Sequence, residues 1–86
     1  MGSELRFVGS LEFPTAEAAT AAAATLWMVQ ARPQGSMIRL AFRIHAPLNW
    51  YAVAAAALRK AAATAVGGEI ACYLEGELEQ LVRPGE

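Results

Sequence analysis

The sequence predicts a two-layer α+β domain, and three observations support this fold class. Residues 37–45 alternate between large apolar side chains and polar or small ones, which is typical of a β-strand with one buried face. An alanine-rich segment with apolar residues at helical spacing follows this strand. The chain has 86 residues, enough for one domain with one core. We therefore expect residues 1–86 to form a single domain, with residues 1–3 and 83–86 disordered.

The N-terminal part of the chain predicts a strand followed by a helix. Apolar residues alternate with polar or small ones over Glu4–Phe13, and Gly9 lies inside this strand, as at a bulge or a close approach of two backbones. Thr15 then provides a helix N-cap, and Glu17 in the first turn complements the helix dipole. The first helix therefore begins directly after Thr15.

The end of the first helix is the main ambiguity in the sequence. The segment Thr25–Ala31 contains β-branched and aromatic residues that suit a strand or a helix. In the arrangement that we favour, the helix stops near Ala24, and Thr25–Ala31 is a strand that turns through residues 32–36 into the next one. In the alternative, one helix runs on to Ala31 and the element order is βαβαβ.

The second half of the chain predicts a helix over Leu48–Val66 and a strand over Glu69–Glu75. Glycines at 67 and 68 end the helix. Of Trp50 and Tyr51, we expect one to anchor the core and the other to lie at the surface. The tail over residues 76–82 fits an extension of the strand, a hairpin or one helical turn.

The favoured order is βαββαβ with a short C-terminal tail, and in element order alone it resembles ferredoxin-like domains. This resemblance implies an antiparallel sheet with two alanine-rich helices on one face. We also expect the first and third strands to be parallel neighbours at its centre, and Trp27 or Val29 to lie on a flanking strand. We call the sheet surface away from the helices the open face. It carries the candidate binding residues, which are Arg6, Val8, Arg39, Ala41, Arg43, His45 and Tyr73. Ser10 lies on the same face.

Composition narrows the classes of function. Hydrophobic residues make up 56% of the chain and charged residues 17%, below the roughly 25% of ordinary soluble domains. This deficit suggests that another chain covers part of the surface. The net charge of −1 gives no general attraction to nucleic acid or to an anionic membrane. No apolar run reaches the length of a membrane span and the first residues lack a signal layout, so we expect a cytoplasmic protein.

Few residues in the chain suit catalysis or metal binding. Without any Asp there is no Ser-His-Asp triad, and one His with one Cys does not complete a zinc site. The glycines form no phosphate loop, so we expect no cofactor and no metal. His45 is the candidate general acid or base, and Cys72 has the parity of a core residue.

We therefore expect a small non-enzymatic protein-interaction or regulatory module, such as an adaptor, inhibitor or subunit, that is homodimeric and binds another protein through the open face or a sheet edge. One alternative is nucleic-acid or polyanion binding by the arginines of this face, with Tyr73 or Trp27 stacking on bases. Another alternative is a small enzyme that uses His45. The helices also offer small side chains for close approach of another helix, namely Ala18, Ala22, Ala54 and Ala61.

Overall fold

The computed structural model of the chain describes residues 2–85, which form one five-stranded sheet and two helices. The sheet order is β2-β3-β1-β4-β5, and every neighbouring pair is antiparallel. The predicted two-layer α+β class is therefore confirmed. The strands are β1 (Ser3–Glu12), β2 (Arg32–Gln34), β3 (Met37–Ala46), β4 (Gly67–Leu74) and β5 (Glu77–Val82), and the helices are α1 (Ala16–Thr25) and α2 (Leu48–Ala62).

The core lies between the helices and one face of the sheet. Along β1 and β3 the buried residues alternate with exposed ones, as the sequence pattern predicts. Phe7 is fully buried, and its ring centroid lies 5.8 Å from that of Tyr51 and 6.2 Å from that of Trp50. Both aromatic residues of α2 therefore pack against the sheet, and the prediction that one of them lies at the surface is wrong.

The predicted end of the first helix near Ala24 is confirmed, but Thr25–Ala31 forms neither the predicted strand nor a continuation of the helix. α1 ends at Thr25, a single 3-10 turn covers Trp27–Val29, and the second strand is only β2. Leu26 and Val29 are both buried. In a strand, residues three apart point to opposite faces, whereas one helical turn brings them to the same side. Trp27, which is 76% exposed, and buried Val29 therefore do not lie on a flanking strand.

The tail after β4 adds a strand that the predicted four-stranded order lacks. Glu75 and Gly76 join β4 to β5, and their φ values of 53° and 81° are both positive, as in a type I′ hairpin turn. Of the three possibilities for the tail, the hairpin is confirmed. Because β5 extends the sheet beyond β4, the ferredoxin-like topology is not confirmed.

The first and third strands are antiparallel, so their predicted parallel orientation is wrong. The helical connection through α1 lets β2 run in the same direction as β1, and the hairpin at Gly35 then reverses the chain into β3. Other boundaries shift by a few residues. α2 ends at Ala62 instead of Val66, whose N–H donates to the Glu12 carbonyl at 2.7 Å.

The predicted N-cap and the predicted termini have different outcomes. Thr15 caps α1, because its side-chain oxygen accepts a hydrogen bond from the Ala18 N–H at 3.1 Å. Disorder over residues 1–3 and 83–86 stays a prediction. Within those ranges Ser3 begins β1 and Arg83 donates a hydrogen bond to Glu69, while residues 1 and 86 lie outside the described part of the chain.

Candidate functional site

The strand register places all seven candidate residues on the open face. Arg6 on the central strand β1 lies opposite Arg43 of β3 and Tyr73 of β4. One pleat further along β1, Val8 lies opposite Ala41 and Ala71 on the same two strands. Arg39 and His45 belong to the same face of β3, opposite Ser10 and Glu4. These side chains form one surface because directly opposite residues on β1, β3 and β4 point to the same side of the sheet.

The middle of the open face is an apolar row across four strands. Val8 is at its centre and is 39% exposed although it lies on the central strand of the sheet. Ala41 and Ala71 flank it, and Leu81 of β5 pairs with Ala71. In the next row Leu78 pairs with Tyr73 and is 51% exposed. The sequence did not assign either leucine to the open face, because the pairing of the last strand decides to which side of the sheet they point.

Charge divides the sheet into a basic side and an acidic side. The segment that forms β2 and β3, residues 32–46, has three arginines and no acidic residue. The segment that forms β4 and β5, residues 67–82, has four glutamates and no lysine or arginine. The basic residues are Arg32, Arg39 and Arg43. Of the acidic residues, Glu69 lies on the open face opposite Ser10 and pairs with Arg83, and Glu75 follows Tyr73 in the turn. Glu77 lies on the helix side opposite Leu74, and Glu79 has no cross-strand partner. The sequence alone did not reveal this polarity, because the sheet order creates it.

Several charged residues of the open face already have partners within the chain. The Arg43 Nη1 atom lies 3.7 Å from the Glu4 Oε2 atom. The Arg6 guanidinium carbon lies 4.3 Å from the centroid of the Tyr73 ring, in a cation–π arrangement. Exposed ion pairs of this kind contribute little stability, since water and salt screen them. Arg6 covers the ring that a base would use for stacking, which weakens the nucleic-acid hypothesis.

Two of the surface depressions formed by residues 2–85 bear on the hypotheses, and His45 lines neither of them. One, of about 660 Å³, lies on the basic side of the open face between Val8, Arg32 and Arg39. The other, of about 570 Å³, lies between the helices and is lined by small residues that include Ala18 and Ala22. Of the alanines proposed for helix docking, Ala61 also lines this depression, whereas Ala54 is fully buried in the core. Three of the four alanines therefore line one depression between the helices, and Ala54 does not contribute to it.

His45 lies at the sheet surface, away from both depressions. Its side chain is exposed at the end of β3, and its cross-strand neighbour Glu4 is the ion-pair partner of Arg43. Over residues 2–85, no three His, Cys, Asp or Glu side chains come together as metal ligands would. An enzymatic role for His45 stays a prediction.

Cys72 is a buried core residue whose ionisation gives a testable pH dependence. Burial raises the pKa of its thiol from 9.0 to about 11, and the charge of Arg59 lowers it by a smaller amount. Between pH 9 and 11 the unfolded chain loses this proton while the folded chain keeps it. The folded state then binds more protons, so its stability falls as the pH rises.

We therefore predict that the free energy of unfolding decreases by about 2 kcal/mol between pH 9 and pH 11. Urea denaturation at a series of pH values measures this decrease. The variant Cys72→Ala is the control, because it removes the thiol and should flatten the Cys72 part of the pH dependence. If the free energy of unfolding of Cys72→Ala falls equally steeply with pH, other groups cause the decrease. Tyr51 is one of them, because burial also raises its pKa.

Comparison of the chain with protein-family models, with curated proteins and with solved structures gives no match. Between residues 2 and 85, neither helix has the length and apolar character to cross a membrane. The residues of the open face are therefore the basis for a functional interpretation.

Proposed function

We propose that the chain is a non-enzymatic protein-interaction module, and that its open face binds a second copy of the chain. The observation that carries this proposal is the apolar row at the sheet centre, with a basic side on one flank and an acidic side on the other. An exposed valine on a central strand costs free energy in water, and a partner that covers it removes this cost.

The charge pattern favours one orientation of the two copies. In a two-fold dimer the same surface is used twice, so it must be complementary to itself. A two-fold axis parallel to β1 places β2 and β3 of one copy over β4 and β5 of the other. The basic side then meets the acidic side twice, and the row around Val8 packs on its own copy at the axis. An axis across the strands would instead place like charges together.

The size of the open face sets the expected affinity. Strands about 4.8 Å apart and about 3.4 Å of length per residue give a surface of roughly 500 Å² for five strands. Standard interfaces bury about 800 Å² per partner, so this surface is small for a stable complex. We therefore expect a reversible dimer that dissociates on dilution and in high salt.

Charge reversal tests both the face and the orientation. The double variant Arg39→Glu with Arg43→Glu should be monomeric, because its basic side becomes acidic and repels the acidic side of the other copy. The double variant Glu69→Lys with Glu75→Lys should be monomeric for the converse reason, since Glu69 lies opposite Ser10 on the open face and Glu75 contacts the Glu4 backbone. An equimolar mixture of the two variants should form a heterodimer. Size exclusion with light scattering measures the masses at low and high salt.

The matched control is Lys60→Glu, which reverses an exposed charge on α2, away from the sheet. This variant should dimerise like the unaltered chain, and circular dichroism should show that all variants are folded. A monomeric unaltered chain at high concentration, or two double variants that remain dimers, would refute the open face as a dimer interface.

Polyanion binding is the second candidate, and the basic depression is the observation in its favour. Arg32 and Arg39 face each other across β2 and β3 beside this depression. Binding of this kind predicts retention on single-stranded RNA that falls steeply with salt and disappears in the variant Arg39→Glu with Arg43→Glu. If the unaltered chain is monomeric and is retained on the RNA, polyanion binding replaces the dimer proposal. If the chain is not retained at low salt, polyanion binding is excluded.

A further inference from the structure

The outer edge of β3 is an unpaired sheet edge next to the open face. β2 pairs with β3 only at residues 37–39, whereas β1 pairs with β3 along its whole length on the other side. Within the part of the chain that the structure describes, no strand pairs with the outer side of residues 40–46. More than half of β3 therefore has a partner on one side only.

The register shows which backbone groups point outward along this edge. The two-residue loop between β2 and β3 makes Gln34 and Met37 a hydrogen-bonded pair, and such pairs alternate along an antiparallel ladder. The N–H and C=O groups of Ala41, Arg43 and His45 therefore point away from β1. These residues provide three donors and three acceptors for another strand.

The other edge of the sheet is protected against strand addition, and the edge of β3 is not. On β5 a register shift leaves Glu79 without a cross-strand partner, and Glu77 adds a second charge nearby. Bulges and charges at an edge strand are common protections against pairing with other chains. The ladder of β3 with β1 is regular from Met37 to Ala46.

The side chains along the β3 edge have different chemistry on the two faces. On the helix side Phe42 and Ile44 are only half-buried, and the Trp50 ring stacks on Phe42 with centroids 5.9 Å apart. On the open face Arg43 and His45 are exposed. An added strand would cover apolar surface with one set of its side chains and meet positive charge with the other set.

We propose that the outer edge of β3 binds an extended, acidic segment of another protein by strand addition, with alternating apolar and acidic side chains. A second copy of the chain fits this edge poorly. The antiparallel register that uses residues 41–45 of both copies places Arg43 opposite Arg43 of the second copy, and like charges in directly opposite positions are destabilising. The outward backbone groups of this site lie at the sheet edge, whereas Arg43 and His45 also belong to the open face of the proposed dimer. Peptide binding is therefore measured at a chain concentration at which the chain is monomeric, so that failure of this proposal is distinguishable from failure of the dimer proposal.

A synthetic peptide tests the proposed chemistry. The probe is a capped, fluorescently labelled heptapeptide with the sequence Glu-Val-Glu-Val-Glu-Val-Glu, and its binding is measured by fluorescence polarisation. A control peptide with Lys in place of every Glu should bind at least about tenfold more weakly, because the side chain opposite Arg43 then repels the guanidinium group instead of attracting it. Equal binding of the two peptides, or binding of neither, would overturn the proposal.

Backbone methylation of the probe distinguishes strand addition from simple charge attraction. Side chains that lie directly opposite each other share a face, so the Glu residues of the probe should pair with Ala41, Arg43 and His45 and direct their N–H groups at β3. Methylating the Glu nitrogens should abolish binding, whereas methylating the Val nitrogens should leave most of it. The same effect of both modifications would contradict strand addition.

Two variants and an exchange measurement complete the test. Arg43→Pro removes an outward N–H that the ladder with β1 does not use, so it should fold and lose peptide binding, whereas Arg43→Gln should retain part of the binding. The probe should slow amide hydrogen exchange at Ala41, Arg43 and His45 but not at Phe42 or Ile44, which already bond to β1. Unchanged exchange at the outward amides would refute the site even if Arg43→Pro failed to fold.

Discussion

Replacing Gly9 with alanine should lower the free energy of unfolding by about 3 kcal/mol. A Cβ atom at this position would lie 2.1 Å from the carbonyl oxygen of Glu69 and 3.0 Å from the Ile70 Cα atom. Both obstacles are backbone atoms of β4, so no side-chain rotation relieves the clash. Gly9 also has a φ of 147°, which residues with a side chain rarely adopt. β4 must move away from β1, at the centre of the sheet, to admit the methyl group.

Gly67→Ala is the matched control for this prediction. Gly67 lies in the same pair of strands, its φ is not positive, and the nearest atom to an added Cβ is the Glu12 Cβ atom at 3.9 Å. This variant should change the stability by less than about 1 kcal/mol. Urea denaturation followed by circular dichroism measures both variants. A Gly9→Ala chain as stable as Gly67→Ala would show that the close approach of β1 and β4 at Gly9 does not exist.

Replacing Phe7 with alanine should destabilise the domain by about 4 kcal/mol. Phe7 is fully buried on the central strand and contacts both aromatic rings at the start of α2. Truncation leaves a cavity between the two layers and removes two ring contacts at once. Because the stability of a small domain is 5–15 kcal/mol, as a rough central range, this loss should leave part of the population unfolded at 37 °C.

Val8→Ala is the control for Phe7→Ala, since Val8 is the next residue of the same strand and points to the open face. It should cost less than about 1 kcal/mol in the monomer while weakening the proposed dimer. Near-ultraviolet circular dichroism reports on the packing of Trp50 beside Phe7. A larger loss of monomer stability for Val8→Ala than for Phe7→Ala would reverse the assignment of the two sheet faces.

The sequence predicted the faces of the strands well, because alternation is a local property. Leu5 and Phe7 on one side, with Arg6 and Val8 on the other, follow from the geometry of any extended chain with one buried face. The same reasoning failed at Leu26 and Val29. Over so short an apolar run the periods of a strand and of a helical turn are hard to separate, and the core selected the turn.

The candidate site was predictable in its residues but not in its arrangement. Arg39 and Arg43 belong to the open face by their position in one strand. The sequence predicted a turn at Arg32. Arg32 lies on the basic side because β2 covers Arg32–Gln34, later in the chain than the predicted strand, and pairs there with β3. The acidic side arises in the same way, from a hairpin that brings β5 beside β4.

The sequence by itself determined the elements with a strong period or a strong cap, and it determined which side of each central strand is buried. Local sterics and burial are sufficient for these features, because they act between residues a few positions apart. Only the tertiary structure decided the separation of charge across the sheet and the unpaired edge of β3. Both depend on which strands become neighbours, and that choice is made by packing between segments that are distant along the chain.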